Sequence, residues 1–283
     1  MVKSDTKQMR GQALAIFQAG LRAVDPEEAI FRHVRVEDEI LRVGNGRLNL
    51  QDYDRVMVVG AGKAVAPMAK GLEDLLGDRI SKGAIVVKEG HGLPLHRIRI
   101  CEGGHPVPDD QGVGGTKEIL SLVAEAGERD LVICVISGGG SALLIAPVEG
   151  VSLEDKQHAT KLLLGCGATI HEMNPVRKHL SRVKGGWLAH MAAPATVVSL
   201  ILSDVVGDDL DVIASGPTVP DSSTFRGAEQ VLTGYGIWDQ LAPSVRNHIS
   251  AGVRGEIQET PESEDGCFAR SFTVMVGTCL LYT

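Results

Sequence analysis

The sequence predicts an α/β protein: a layered, mainly parallel sheet flanked by helices. Three observations carry that expectation. Residues 55–59, 130–136 and 196–202 are nearly continuous apolar runs (RVMVV, DLVICVI and TVVSLIL), the pattern of strands covered on both faces. Stretches with apolar residues at helical spacing separate them. Each run ends in glycine or hydroxyl residues, as strand-to-helix turns do, and 34 of the 283 residues are glycine against a usual ~7%.

The elements follow in order. Residues 5–35 read as helical, with Ala13, Ile16, Phe17 and Leu21 at three- and four-residue spacing. Asp25-Pro26-Glu27-Glu28 restarts the helix, proline sitting in a first turn with acids behind it. The first strong strand runs into Gly60-Ala61-Gly62-Lys63 and then a helix over 64–76. Residues 83–87 and 98–101 read as strands and 116–126 as a helix. The second strong strand ends in Ser137-Gly138-Gly139-Gly140-Ser141. Helices follow over 152–164, with Glu154 and Asp155 in the first turn, and over a long span, 174–191. The third strong strand ends in Ser203-Asp204 and a loop at 207–221. Short helices at 227–232 and 242–249, an acidic loop at 259–266 and a strand at 272–276 complete the chain, which has no internal repeat.

Composition narrows the function classes. A 43% apolar and 23% charged chain is an ordinary globular one. The net charge of −8 disfavours a general nucleic-acid surface while leaving room for a local basic pocket. Cys101, Cys134, Cys166, Cys267 and Cys279 show neither C-x-x-C nor zinc spacing. They read as reduced thiols of a cytoplasmic protein, with Cys134 packed as a small hydrophobe. No apolar run reaches the ~18 residues of a spanning helix, and the N-terminus has no signal-peptide core, so no membrane partner is expected.

Ligands of open α/β sheets sit outside the carboxyl ends of the strands. Gly60, Gly62 and Lys63 form neither a dinucleotide fingerprint, since Val65 stands where the third glycine belongs, nor a P-loop. A lysine at a helix start is unfavourable unless an anion lies between it and the free amides. Lys63 therefore reads as a phosphate or carboxylate ligand, the alternative being a solvated lysine. Ser137, Gly138, Gly139, Gly140 and Ser141 can wrap an anion with backbone amides. On the predicted helix from Asn174, residues Asn174, Arg177, Ser181 and Lys184 form one stripe, flanked by Lys178 and Arg182; Val176, Leu180, Val183 and Trp187 form the apolar one. His179 reads as structural. Ser203 and Asp204 close the third strand, and Asp204 or Asp208 suits a Mg²⁺ site or a base. Ser215 lies in a rigid Ser-Gly-Pro-Thr turn, and His105 in a loop stiffened by prolines.

The ordered set Gly60-Ala61-Gly62-Lys63-Ala64, His105-Pro106-Val107-Pro108-Asp109, Ser137-Gly138-Gly139-Gly140-Ser141, Asn174-Pro175-Val176-Arg177-Lys178-His179-Leu180-Ser181, Lys184-Gly185-Gly186, Ser203-Asp204 and Ser215-Gly216-Pro217-Thr218 resembles the glycerate 2-kinase family. The resemblance implies a Rossmann-like N-terminal domain of a two-domain kinase. It implies transfer of the ATP γ-phosphate to D-glycerate, usually at the 2-hydroxyl, with Mg²⁺. Lys63, Asp204 and Arg177 are then the expected catalytic residues. Gly60, Gly62, Ser137, Gly138, Gly139, Gly140, Ser141, Asn174, Lys184, Ser203 and Ser215 are the expected substrate or phosphate ligands, and Asp204 and Asp208 the metal ligands. Residues 1–277 are expected to form that domain and 278–283 a truncated tail, the family's second domain being absent and activity impaired accordingly. An NAD(P)H-linked hydroxypyruvate reductase and a non-catalytic binding fragment are the alternatives, and homo-oligomerisation is left open.

Overall fold

A computed structural model describes residues 2–278. The expected tail beyond Thr278, with Cys279, lies outside the described residues. Two helices open the chain, α1 (Val2–Ala23) and α2 (Pro26–His33). Asp25 caps α2, its carboxylate accepting from the amides of Glu27 and Glu28. The apolar residues Ile16, Phe17 and Leu21 of α1 face outward rather than into the core. A small antiparallel meander follows, β1 (Val34–Glu37), β2 (Ile40–Val43) and β3 (Gly46–Asn49), which sequence analysis passes over.

The main body alternates β4 (Arg55–Ala61), α3 (Val65–Leu76), β5 (Ile80–Lys88), β6 (Ile98–Gly103), α4 (Asp110–Ala124), β7 (Asp130–Ser137), the single turn α5 (Gly140–Leu143), α6 (Leu153–Gly165), α7 (Ile170–His179), α8 (Trp187–Ala192), β8 (Thr196–Leu202), α9 (Phe225–Gly234), α10 (Pro243–Val253) and β9 (Ser271–Gly277). The six long strands form one sheet in the order β6-β5-β4-β7-β8-β9, every neighbouring pair parallel. Counted along the chain from β4, that order is 3-2-1-4-5-6, the doubly wound arrangement. The chain reverses its direction of travel across the sheet between β4 and β7. The crevice at this switch lies where Gly60–Lys63 and Ser137–Ser141 emerge, as the turns after the first two strong strands predict. Every residue of β7 is buried, which explains its unbroken apolar run.

Two apolar clusters cover the two faces of the sheet. A third belongs to a helical lobe made of α6, α7, α9 and α10, with Leu163, Val176, Phe225 and Val245 among its buried residues. The helix expected over 174–191 is a correction. The chain leaves the helix after His179, turns through Gly185 and Gly186 at φ 55° and 82°, and re-enters one only at Trp187. Two things end α7. The buried Lys156 ammonium donates to the carbonyls of Arg177 and Leu180, and the Ser181 hydroxyl accepts from the amides of Val183 and Lys184. The apolar stripe is thereby split: Val176 and Leu180 pack in the lobe and Val183 on the sheet, while Trp187 is only half-buried and its neighbour Leu188 takes the place in the sheet core. The remaining helices begin close to where the sequence places them. Ser152 caps α6; α4 is the exception, starting at Asp110 behind its cap Asp109, six residues before the expected 116.

Among the described residues Cys101, Cys134, Cys166 and Cys267 are free thiols. Burial pushes the Cys134 thiol up to about 12, so it packs as an inert apolar group. No described helix is long and apolar enough to cross a membrane.

Candidate active site

The two loops at the switch are stitched together by backbone geometry. The Lys63 amide donates to the Gly138 carbonyl at 2.9 Å, and the Ala64 amide donates to the Ser137 hydroxyl at 3.0 Å. Glycine is required for this approach: a Cβ on Gly62 would stand 2.1 Å from Ser137 Oγ, and one on Gly60 would stand 1.9 Å from the Val135 carbonyl oxygen. The same holds on the other loop. A Cβ on Gly138 would fall 2.0 Å from a carboxylate oxygen of Asp204, and one on Gly139 would fall 3.0 Å from both the His105 ring and Lys63 Cγ. The expected lysine, the triple-glycine turn, Asp204 and His105 therefore meet at one point.

Lys63 Nζ lies 3.6 Å from Asp204 Oδ2 at an open mouth, their side chains 39% and 55% exposed. Such a pair adds little stability, so both groups are available to a ligand. The His105 imidazole is held below its ordinary range by burial first, and then by the charges of Lys63, Lys88 and His91 against the opposing Asp204. It is a neutral hydrogen-bonding group at neutral pH.

Behind the mouth lies a cavity of about 200 Å³ whose wall includes His105, Gly139, Ser141, Lys156, Arg177 and Lys184. No Asp or Glu among the described residues lines it. Arg177 and Lys184 come together here without the continuous helix that suggested it, and Lys156 of α6 joins them. Lys156 was missed by sequence reading. The available signal was its position on the buried stripe of α6 with Ala159 and Leu163, where a lysine is out of place. Lys184 donates to the Ala214 carbonyl at 3.2 Å. Ala214 and Ser215 stand at φ 53° and 62°, in a region that non-glycine residues rarely occupy and that clusters at functional sites. Ser141 and Ser215 share a hydrogen bond at 3.2 Å, and Ser215 donates to Asn174 Oδ1 at 3.2 Å. The Asn174 Nδ2 group is buried without a hydrogen-bond partner among the described residues.

Other expected residues stand elsewhere. Lys178 points away from the cavity and is bound by Asp221 at 2.8 Å and Asp211 at 3.5 Å, acids that the helical stripe did not reveal. His179, expected to be structural, has its ring between the Pro175 carbonyl and Glu259. The Ser203 hydroxyl is engaged with Val205 in the turn that also contains Asp208. Among the described residues no group of three His, Cys, Asp or Glu is placed to hold a metal by itself.

Burial pushes Lys156 down from 10.5 to about 7, with Arg177 adding to the shift, and Lys184 is held well below the ordinary range by burial and by Lys156 and Arg177. The unfolded chain keeps the Lys156 proton up to about pH 10.5, whereas the folded chain gives that one up at about 7. Between these values the unfolded state binds more protons, so stability rises with pH. The urea midpoint is expected to climb from pH 7 to pH 9, less steeply in K156M; a midpoint falling over that window would show the lysines are not so depressed.

The fold and site define a doubly wound α/β protein with a crevice at its topological switch point, backed by a cavity walled by cationic side chains. Residues 12–250 match the family model described as a domain of unknown function, DUF4147, and the chain belongs to that family. It is 45% identical over 260 residues to a glycerate 2-kinase of Pyrococcus horikoshii, an alignment covering 92% of this chain and 57% of that protein. It is 45% identical to a D-glycerate 2-kinase of Thermotoga maritima, covering 91% of this chain and 57% of the other. A crystal structure of a Thermotoga maritima glycerate kinase superposes with a TM-score of 0.82 at 40% identity, covering 97% of this chain and 60% of that one. The chain thus spans somewhat more than half the length of these relatives.

Proposed function

We propose that this chain contributes the crevice of an enzyme that transfers the γ-phosphoryl group of ATP to a hydroxyl of D-glycerate, the 2-hydroxyl being favoured. One observation carries the reading: Lys63, Asp204, His105 and the Gly138-Gly139 turn converge at the mouth of a cation-lined cavity without acids among its described lining residues. Phosphoryl transfer asks mainly for positioning and for neutralisation of charge on the moving group. The glycerate hydroxyl oxygen forms the new bond to the γ-phosphorus, the bond to the β–γ bridging oxygen breaks, and ADP leaves. Lys63 neutralises the transferring group, and Asp204 takes the hydroxyl proton. The relatives named as D-glycerate 2-kinase and glycerate kinase support the substrate and the reaction.

Mg²⁺ typically binds one or two carboxylates together with substrate phosphates rather than a protein cage. The donor set here, one crevice carboxylate, fits an ion of that kind: Asp204 would hold it, and it would neutralise phosphate oxygens when bound. The four described free thiols support a reducing, cytoplasmic setting.

The test is ADP release from ATP and Mg²⁺ by the full protein carrying this sequence, with and without D-glycerate. Stimulation by D-glycerate, with 2-phosphoglycerate as product, is expected. ADP release indifferent to D-glycerate, or oxidation of NADH by hydroxypyruvate instead, would overturn the reading.

A further inference from the structure

We propose that the cavity walled by Lys156, Arg177 and Lys184 is a carboxylate subsite, and that Lys156 makes the site select a small hydroxy acid over a neutral polyol. This rests on the kinase reading and adds where the acid end of the substrate is gripped and by which side chains.

The donors are counted first. The Arg177 guanidinium lines the cavity and donates no hydrogen bond to a described residue, burial being the only influence on its charge, so its N–H fork is open to a ligand. Lys156 gives two of its three hydrogens to the Arg177 and Leu180 carbonyls, and Lys184 gives one of three to Ala214. Those carbonyls locate the ammonium groups without neutralising them. A buried cation with no acid opposite is costly unless an anion completes the site. The wall also carries neutral hydrogen-bonding groups, Ser141 and Gln157, suited to hydroxyls.

Size and charge then choose the anion. A volume of about 200 Å³ is below the range of drug-sized pockets and holds a three-carbon acid but no nucleotide. The nucleotide phosphates are left to the open mouth at Lys63 and Asp204. Burial lowers Lys156 and Lys184, so the empty pocket carries less than its formal charge at neutral pH. A monoanion matches that better than a phosphate dianion. The planar fork of Arg177 matches a carboxylate edge.

Titration calorimetry on the full protein, without nucleotide, tests this with D-glycerate, glycerol and inorganic phosphate against wild type, K156M and R177M. D-glycerate should bind and glycerol should not. Either substitution should weaken D-glycerate by about ten- to a hundredfold, the range for a lost hydrogen bond to a charged group. The Arg177 guanidinium has no hydrogen-bond partner to lose among the described residues, so R177M keeps the test open if K156M does not fold. A purely structural Lys156 would lower the unfolding midpoint of K156M and leave D-glycerate affinity unchanged, which overturns the proposal. So would inorganic phosphate binding more tightly than D-glycerate, or R177M binding D-glycerate normally. The two readings fail separately. Lys156-dependent D-glycerate binding without ADP release sinks only the kinase reading; D-glycerate-stimulated ADP release with binding indifferent to both substitutions sinks only the subsite.

Discussion

Replacing Lys63 by methionine is expected to lower the turnover of D-glycerate-dependent ADP release by roughly 10²–10³-fold, the scale of removing one preorganised group aimed at developing charge. Methionine keeps most of the stem that lies over Gly139, and the side chain is 39% exposed, so the fold should be unaffected. Its nearest partner, Asp204, is itself 55% exposed, and the pair contributes little to stability. The expected signature is therefore a collapse in kcat with an unfolding midpoint close to wild type. D-glycerate affinity measured without nucleotide should also stay near wild type, because the cavity of Lys156, Arg177 and Lys184 is intact. A variant with near-normal kcat would remove Lys63 from the reacting centre. A variant that loses D-glycerate binding while kcat survives would move the acid to the mouth and reverse the roles of the two cation groups.

Much of this arrangement was legible in the sequence, for a physical reason. Strands buried on both faces must be nearly all apolar, and β4, β7 and β8 are; the turns after them must let backbones touch, and Gly62 and Gly138 do. Lys63, Asp204, Arg177 and Lys184 were legible because they sit in or beside such turns or in a basic run. What stayed hidden depends on packing between segments distant in sequence. The helical period continued through 176, 180, 183 and 187 although the chain leaves the helix at His179, because two different cores take successive apolar residues. The acids that neutralise Lys178 come from a loop more than 30 residues later, at Asp211 and Asp221. Lys156 belongs to no motif and becomes visible only when α6 and α7 pack. His105 read as a shape-setting neighbour of prolines, yet its ring lies against Gly139. The meander at β1–β3 was missed because four-residue strands carry too little alternation to stand out.

Replacing Asp221 by leucine is expected to destabilise the protein by about 3 kcal/mol, the lower end of the cost of breaking a buried ion pair, because Lys178 keeps the half-exposed Asp211 at 3.5 Å. Asp221 and Lys178 are 1% and 2% exposed and 2.8 Å apart. Asp221 also accepts from Thr260 Oγ1 and from the amide and hydroxyl of Ser223. Burial acts to raise the Asp221 carboxyl, but Lys178 and Ser223 outweigh it and hold the group below its ordinary value. Its stabilisation is therefore complete above the unfolded carboxyl range and is lost as pH falls through that range toward the lower folded value. In D221L that acid-side loss should be reduced as well as the midpoint lowered, and K178M/D221L should recover much of the stability, since removing both charges removes the desolvation penalty. The pair matters to the site through the segments it joins. Lys178 lies in the last turn of α7 and Asp221 closes the loop carrying Ala214 and Ser215, while Gly185 and Gly186 donate to the Ser215 and Gly216 carbonyls across the same seam. That seam holds the Ala214 carbonyl against Lys184. D221L should accordingly weaken D-glycerate binding although Asp221 lines no part of the cavity. A D221L protein with wild-type unfolding midpoint and wild-type affinity would show that the loop is held by its backbone contacts alone.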